Sequence, residues 1–297
     1  MQAIILVAEI VAPVFVLAGL GFGWVKFGLE YRVRFVSQLA MKLGLPCLMF
    51  QVLTKTELKP ELLWSIAGAA ILAHLLLIPI FWALVRATGI DVRTYLAPLV
   101  FGNTGNLGLP LALFAFGQTG LDVAVIVFAV SLITAFTIGI GIVTGETSIR
   151  GLFREPAVFS LPLAVLFLSQ GWTVPRWIDN TLDLVGQIVI PLMLLTLGVA
   201  ISRLRLHRVG HVFWLSVVKL VVCFSIAWAV ALGFGLPDVA FAVLVLQMST
   251  PVAVTAYLIA ENYDADADEV AGFVVVSSLL GVVALPAILS LFVTAGG

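Results

Sequence analysis

Apolar stretches of about 20 residues recur along the whole chain, and this recurrence limits the possible folds more than any other feature. A helix rises about 1.5 Å per residue, so such a stretch crosses a hydrocarbon layer about 30 Å thick. Hydrophobic residues make up 62% of the 297 residues and charged residues only 10%, a composition far from that of soluble globular domains. The strand-like alternation of a membrane barrel is absent. The sequence therefore predicts an all-α membrane protein.

Charged and turn-rich breaks divide the chain into predicted spans. Ten are expected, at approximately 4–24, 33–53, 61–86, 93–117, 121–145, 153–171, 178–201, 211–235, 237–261 and 268–293. The connections between them are short, so no soluble domain is expected on the bundle.

Lysine and arginine are unevenly distributed over the predicted loops. The odd-numbered loops hold Lys26, Arg32, Arg34, Arg86, Arg93, Arg150, Arg154, Arg203, Arg205 and Arg208. The even-numbered loops hold only Lys55, Lys59 and Arg176. Because basic loops are retained in the cytoplasm, the odd loops are predicted to be cytoplasmic and both termini to lie outside.

Prolines indicate an internal repeat. Pro13 pairs with Pro156, Pro46 with Pro191 and Pro110 with Pro251, at offsets of 143, 145 and 141 residues. These offsets predict two halves of five spans each. Because each half has an odd number of spans, the second half is inverted in the membrane relative to the first, as in many secondary transporters. The alternative is coincidence, since proline is frequent in membrane helices.

Two spans contain residues that disfavour a helix. The fourth holds "FGNTGNLGLP" (101–110) and the ninth holds "QMSTP" (247–251). Unpaired backbone cannot face lipid, so both breaks should be buried or line a wet cavity. We expect the second half-helices to begin near Pro110 and Pro251, with their positive ends directed at the centre.

Such a site favours an anion. Its predicted hydrogen-bonding side chains are Asn103, Thr104, Asn106, Gln247, Ser249 and Thr250. The alternative is two proline-kinked helices whose amides bond only to neighbouring spans.

Ionisable groups within spans often have functional roles. Lys42 and Gln187 occupy equivalent repeat positions, as do His74 and Lys219, so the four are candidates for charge or proton coupling. Each has a structural alternative. Lys42 and Lys219 could extend to the cytoplasmic interface, and His74 could bond to a neighbouring helix. Asp122 begins the fifth span and is expected to be solvated.

Other functions find little support in the sequence. The net charge of −1 argues against a nucleic-acid partner. The histidines His74, His207 and His211 form neither a metal set nor a catalytic set, so neither metal, cofactor nor enzymatic activity is expected. No phosphate-binding loop is present, so an ion or substrate gradient is the expected energy source.

Three segments resemble the auxin efflux carrier (PIN-like) family, whose fold is shared with bile-acid sodium symporters. They are "GNTGNLGLPLALFAFG", "QMSTPVAVTAYLIAENY" and "SSLLGVVALPAIL". The resemblance implies substrate contacts from Asn103, Asn106, Pro110, Gln247 and Pro251. It also implies a scaffold formed by residues 1–53 and 153–203, a transport domain formed by 61–145 and 210–294, and elevator-like movement between the two.

The resulting expectation is a secondary active transporter of small organic anions, working by alternating access. Malate, malonate and auxin-like indole acids are candidate substrates, the prokaryotic inner membrane is the expected location, and the scaffold could support a homodimer. The alternative is a membrane sensor that binds an organic anion without transporting it.

Overall fold

The computed structural model describes residues 2–144, 152, 155–203, 209–263 and 265–293. Residues 145, 153 and 294, which end predicted domain segments, lie outside this part, as do Arg150, Arg154, Arg205, His207 and Arg208. The described residues are helical, with short connections. The α-helices are α1 Gln2–Lys26, α2 Val33–Gln38, α3 Leu45–Lys55, α4 Pro60–Thr88, α5 Val92–Val100, α6 Leu109–Thr134, α7 Ile140–Thr144, α8 Pro156–Gln170, α9 Arg176–Gln187, α10 Val189–Arg203, α11 Val209–Gly233, α12 Asp238–Met248, α13 Val254–Asn262 and α14 Ala267–Val293.

Three π-helical segments are inserted among these helices. They are π1 Leu39–Gly44, π2 Thr104–Gly108 and π3 Ala135–Gly139. Segment π1 joins α2 to α3, π2 leads into α6, and π3 joins α6 to α7.

Seven helical stretches of the described chain are long and apolar enough to cross a membrane. They cover Ile5–Lys26, Val33–Lys55, Pro60–Thr88, Thr104–Thr144, Arg176–Arg203, Gly210–Gly233 and Ala267–Phe292. The chain is therefore a multi-pass, all-helical membrane protein.

The structure has seven helical stretches of membrane-spanning length where ten spans were predicted, and this difference has local causes. Helix α8 has only 15 residues, and α12 and α13 are separate short helices of 11 and 9 residues. The 41-residue stretch from Thr104 to Thr144 contains one non-helical residue, Gly117, with φ 61° and ψ −151°. This conformation suits glycine because a side chain would be strained there. The count of ten, as two inverted halves, remains a prediction.

Local signals explain several helix ends. Asp91 caps α5 by accepting a hydrogen bond from the backbone N–H of Thr94 at 2.8 Å. Although burial raises the pKa of this carboxyl, hydrogen bonds from the Thr94 hydroxyl and backbone outweigh that effect and lower it. Helix α4 has Pro60 in its first turn and ends at Gly89, whose φ of 70° is left-handed.

The breaks between α5 and π2 and between α12 and α13 contact each other. Gly102 and Val252 form a single antiparallel bridge, and the backbone N–H of Asn103 donates to the carbonyl of Pro251 at 2.7 Å. A Cβ at Gly102 would meet the hydroxyl and carbonyl of Thr250, so the close approach requires glycine here. We call this paired region, residues 101–103 and 249–253, the crossing.

The α-helices after the breaks begin near the expected prolines, α6 at Leu109 with Pro110 in its first turn and α13 at Val254. Before α6, helical backbone already resumes at Thr104 as π2, because the N–H groups of Leu107 and Gly108 both bond to the carbonyl of Asn103 in a widened turn. Helix α13 begins at Val254 because Pro251 uses its carbonyl in the crossing. The bridged residues are separated by 252 − 102 = 150 positions, and the match of Pro110 with Pro251 as equivalent repeat positions remains a prediction.

Helix packing forms two groups of neighbours. Helix α1 packs on α10, where Gly21 approaches the backbone of Leu195 and Gly198 that of Ala18, while α3 packs on α8 and α9. Helices α4, α6, α11, α12 and α14 pack around the crossing. The division into scaffold and transport domains remains a prediction.

Candidate functional site

A cavity of about 140 Å³ opens beside the crossing, and we call it the crossing cavity. Its walls are Met41, Phe101, Gly102, Asn103, Thr104, Gly105, Asn106, Phe128, Ser131, Leu132, Ala135, Phe136, Ile140, Ala253, Thr255 and Ile259. These residues come from both breaks and from six helical elements, π1, π2, α6, π3, α7 and α13.

All three π-helical segments of the described chain reach this cavity. Segment π1 contributes Met41, π2 contributes residues 104–106, and π3 contributes Ala135 and Phe136. A π-helical turn is intrinsically less favourable than an α-helical one and is found disproportionately at functional sites. The convergence of three such turns supports a functional role for this cavity.

Asn103 holds the break open and also presents a donor. It is 4% exposed, and its side-chain Oδ1 accepts a hydrogen bond from the N–H of Asn106 at 3.2 Å, capping π2. Its Nδ2 is buried without a hydrogen-bond partner in the described structure. A buried, unpaired N–H group costs free energy, so a ligand acceptor here would be stabilised.

Two helix N-termini adjoin the same cavity. The helical segment π2–α6 starts at Thr104, and α13 starts after Ala253, whose side chain cannot cap the helix. The first turn of α13 holds no acidic residue, and Thr255 in that turn lines the cavity. N–H groups and the positive dipole ends of helices favour an anion.

A second, smaller cavity also adjoins the crossing. It measures about 10 Å³, near the minimum for one water molecule, and is lined by Ser216, Lys219, Leu220, Ser249, Thr250, Pro251, Ser277, Leu280 and Gly281. Ser277 Oγ accepts a hydrogen bond from the N–H of Val252 at 3.1 Å, whereas Ser249 Oγ is buried without a partner. Three of the residues predicted in the second break, Ser249, Thr250 and Pro251, therefore line this cavity and not the larger one.

Lys219 is 2% exposed and lies directly against the end of α5. Its Nζ donates to the carbonyl of Leu99 at 2.9 Å. In a continuous helix this carbonyl would accept from the N–H of Asn103, but that N–H bonds to Pro251 across the crossing. The Lys219 amine thus replaces a missing helical hydrogen bond at the negative end of a half-helix.

Gln247 and Pro110 line neither cavity. Gln247 is fully buried and packs on Gly108, where a Cβ would collide with its amide, and its Oε1 has no partner in the described structure. Pro110 is buried in the first turn of α6. Both support the crossing from behind.

The remaining candidates for charge or proton coupling, His74, Lys42 and Gln187, do not lie together. His74 is 2% exposed, its Nδ1 donates to the carbonyl of Ala70 at 2.8 Å, and its ring stacks on Phe101 with centroids 5.8 Å apart. His74 therefore contacts a wall of the crossing cavity.

Lys42 and Gln187 are exposed and line neither cavity. Gln187 Nε2 donates to Asp183 Oδ2 at 2.7 Å.

The family described as "Membrane transport protein" matches residues 6–147 and residues 141–289 of the chain. The chain belongs to this family. The match confirms the resemblance to auxin efflux carriers, and it agrees with a multi-pass helical bundle whose interrupted helices meet inside.

Three relatives of this transport protein carry transporter names. An "Uncharacterized transporter" of Methanothermobacter thermautotrophicus is 27% identical over 62% of this chain and 63% of its own length. Another, of Methanocaldococcus jannaschii, is 25% identical over 60% of this chain and 61% of its own. The match thus spans less than two thirds of either relative. A "Putative malonate transporter" of Rhizobium meliloti is 22% identical over 84% of this chain and 83% of its own length.

Several cavity residues of this transport protein were not predicted. Met41, Phe128 and Phe136 are apolar residues in apolar helices, so nothing distinguishes them from packing residues in the sequence. Thr255 could have been identified, because a polar residue four positions after Pro251 falls in the first turn of the resumed helix.

Proposed function

We propose that this transport protein is a secondary active transporter of small organic anions, which binds its substrate in the crossing cavity. The observation that carries the proposal is the buried, unpartnered Nδ2 of Asn103 beside the uncapped N-terminus of α13. Neutral donors and helix ends can bind and release an anion without a permanent ion pair, as a transport cycle requires.

The proposal includes the architecture predicted above. Ten spans in two inverted halves place the scaffold at residues 1–53 and 153–203 and the transport domain at 61–145 and 210–294. Both termini lie outside a prokaryotic inner membrane, and two scaffolds form a homodimer. Transporter names among relatives and the interruptions on both sides of the crossing support this arrangement.

Lys219 and His74 are the proposed coupling groups, since both are buried against the crossing. The positions of Lys42 and Gln187 on the exposed surface favour an interfacial role for both.

The substitution Asn103→Asp tests the site with little change in shape. An aspartate retains the Oδ1 acceptor that caps π2 but replaces the donor Nδ2 with a negatively charged oxygen. We expect uptake of labelled malate, malonate or indole acetate by counterflow in proteoliposomes to fall at least about tenfold, because a carboxylate repels an anion. Asn180→Asp, the same change at an exposed position of α9, is the matched control.

Three outcomes distinguish the alternatives. Uptake lost only in Asn103→Asp supports transport through the crossing cavity. Equal uptake in both variants would place the site elsewhere. Saturable binding of an anion that is lost in Asn103→Asp, without any counterflow by wild type, would favour a sensor.

A further inference from the structure

A cavity of about 370 Å³ lies along the second half of α1, and we call it the α1 groove. It is lined by α1 between residues 19 and 24, by the connection 27–32 that leads to α2, and by Leu195 of α10. None of its lining residues also lines the crossing cavity or the smaller cavity beside the crossing. The α1 groove is therefore separate from the proposed substrate site.

Missing side chains form the floor of the α1 groove. Gly19 and Gly23 are four residues apart and therefore share one face of α1. A Cβ at Gly19 would meet nothing within 4 Å, and one at Gly23 would meet only the ring of Phe27, at 3.6 Å. Gly21 lets α1 approach α10 closely, since a Cβ there would collide with the backbone of Leu195. The floor is thus a strip of bare helix backbone beside a close helix contact.

Exposed apolar side chains form the rim of the groove. Leu20, Trp24, Phe27 and Leu29 line it and are all exposed, Phe27 to 85%. The connection folds back on α1, because the indole N–H of Trp24 donates to the carbonyl of Glu30 at 3.2 Å. Helix α1 is long and apolar enough to cross a membrane, so this rim is expected to meet lipid acyl chains.

Basic side chains gather where α1 ends. Four basic residues and one acidic residue belong to this region, namely Lys26, Arg32, Arg34, Arg203 and Glu30. Arg203 is held there because its guanidinium donates to the carbonyl of Tyr31, a groove residue, at 2.7 Å. Glu30 pairs with Arg32. Three positive charges in excess therefore adjoin the apolar groove.

Two of these cations have capacity left for a phosphate. Lys26 and Arg203 take part in neither of the ion pairs formed by the described residues. The Lys26 ammonium lies over the ring of Phe22, 5.4 Å from its centroid, and the bond to Tyr31 occupies one of the five N–H donors of Arg203. Arginine and lysine donors bind phosphate through short, charge-assisted hydrogen bonds.

We propose that the α1 groove binds an anionic phospholipid of the surrounding membrane. The phosphate contacts Lys26 and Arg203, and one acyl chain lies over Gly19 and Gly23. Basic pockets between membrane helices attract anionic headgroups, whereas a zwitterionic lipid offers the same chains without the net charge. A second copy of the chain suits the groove less, because two-fold pairing of this patch would bring its basic residues beside their equivalents.

Trp24 reports the occupant of the groove because it lines it. The full chain is reconstituted in phosphatidylcholine vesicles with an increasing fraction of phosphatidylglycerol of the same acyl chains. One lipid or the other carries brominated chains, which quench tryptophan fluorescence. The difference between wild type and Trp24→Phe isolates the signal of Trp24.

Trp82 is the matched reference, isolated in the same way with Trp82→Phe. It is 48% exposed, against 47% for Trp24, lies beside one arginine, Arg86, and lines none of the cavities described above. We expect brominated phosphatidylglycerol to quench Trp24 half-maximally at a fraction at least about tenfold lower than Trp82. Each basic residue near a membrane surface strengthens the attraction about fivefold, and Trp82 has fewer such neighbours.

Two variants test the two parts of the site. Arg203→Gln should reduce the preference for phosphatidylglycerol about fivefold, whereas Arg176→Gln, at an exposed position of α9 outside the groove, should leave it unchanged. Gly19→Leu fills the groove with a side chain whose Cβ meets nothing within 4 Å. Quenching of Trp24 by brominated phosphatidylglycerol should then fall to the level of Trp82.

The wild-type comparison decides the question even if Gly19→Leu does not fold. Equal dependence of Trp24 and Trp82 on phosphatidylglycerol would overturn the proposal. Quenching of Trp24 by neither lipid would mean that another occupant, such as a second copy of the chain, covers the groove, and would also overturn it. A preference that persists in Gly19→Leu would place the lipid outside the groove, with the same consequence. None of these measurements uses transport, so their outcome is independent of the proposed function.

Discussion

At the scale of single residues, the site depends on buried polar groups that stabilise an interrupted backbone. The Leu99 carbonyl loses its helical partner because the N–H of Asn103 pairs with Pro251, and Lys219 supplies the replacement hydrogen bond. Burying an ammonium costs several kcal/mol, about as much as its hydrogen bonds return. Lys219 is therefore expected to contribute to anion binding much more than to stability.

Lys219→Met separates these two contributions. Without ligand we expect a denaturation midpoint close to that of the wild type, since the lost hydrogen bond and the removed desolvation penalty offset each other. Stabilisation by a bound anion, about 2.7 kcal/mol at a ligand concentration 100 times Kd, should be lost. Chemical denaturation of the detergent-solubilised protein with and without ligand measures both, and Lys26→Met, at an exposed lysine, is the control. If a bound anion stabilises Lys219→Met as much as it stabilises the wild type, the charge of Lys219 does not contribute to anion binding.

A conflict between a residue type and its surroundings is the signal that singled out Asn103 and Lys219. They are an amide and a lysine within apolar spans, and both residues are buried at the crossing, while their roles in binding and coupling remain predictions. Met41 and Phe136 carry no such conflict, so their position in the cavity depends on tertiary packing that a single sequence does not reveal.

At the scale of elements, the crossing consists of two breaks whose backbones hydrogen-bond to each other. The sequence predicted both interruptions from glycine, asparagine and proline, and α6 begins near Pro110 as expected, at Leu109, but helical backbone already resumes at Thr104. The reason is π2, in which the carbonyl of Asn103 accepts two N–H groups and keeps the backbone helical before the proline. An α-helical and a π-helical turn draw on the same residue types, so propensity does not distinguish them.

Gly102→Ala tests how closely the breaks must approach. Its Cβ would meet the hydroxyl and carbonyl of Thr250, which is fully buried and held by a 2.7 Å bond from its hydroxyl to the carbonyl of Gln247. We expect a loss of about 1–3 kcal/mol in unfolding free energy from overpacking, and reduced transport. Gly19→Ala is the matched control, because a Cβ there meets nothing within 4 Å and alanine favours the helix. Equal stability of the two variants would contradict a tightly packed crossing.

At the scale of the whole molecule, the proposed transport cycle requires two bodies that move relative to each other. Asp122 at the start of the fifth predicted span is not solvated as expected. It is 5% exposed, and its carboxylate accepts hydrogen bonds from Thr56 at 2.7 Å and from Gln118 at 2.9 Å. Thr56 directly follows α3 and lies in the connection between the proposed scaffold, which ends at residue 53, and the proposed transport domain, which begins at residue 61. This bond therefore joins that connection to the transport domain, and it should break when the domains move if the connection stays with the scaffold.

Cross-linking tests that movement. In a background with Cys47 and Cys223 replaced by alanine, cysteines at Thr56 and Asp122 are joined by a short bifunctional thiol reagent. If the two bodies move relative to each other, the cross-link should stop counterflow, and a reducible reagent should restore it on cleavage. The matched control joins cysteines at Lys55, the last residue of α3, and Asp179 in α9, whose side chains form an ion pair at 2.7 Å, and it should leave transport unchanged. Full transport by the protein cross-linked between positions 56 and 122 would mean that these positions belong to one rigid body, and the domain boundary would have to be placed elsewhere.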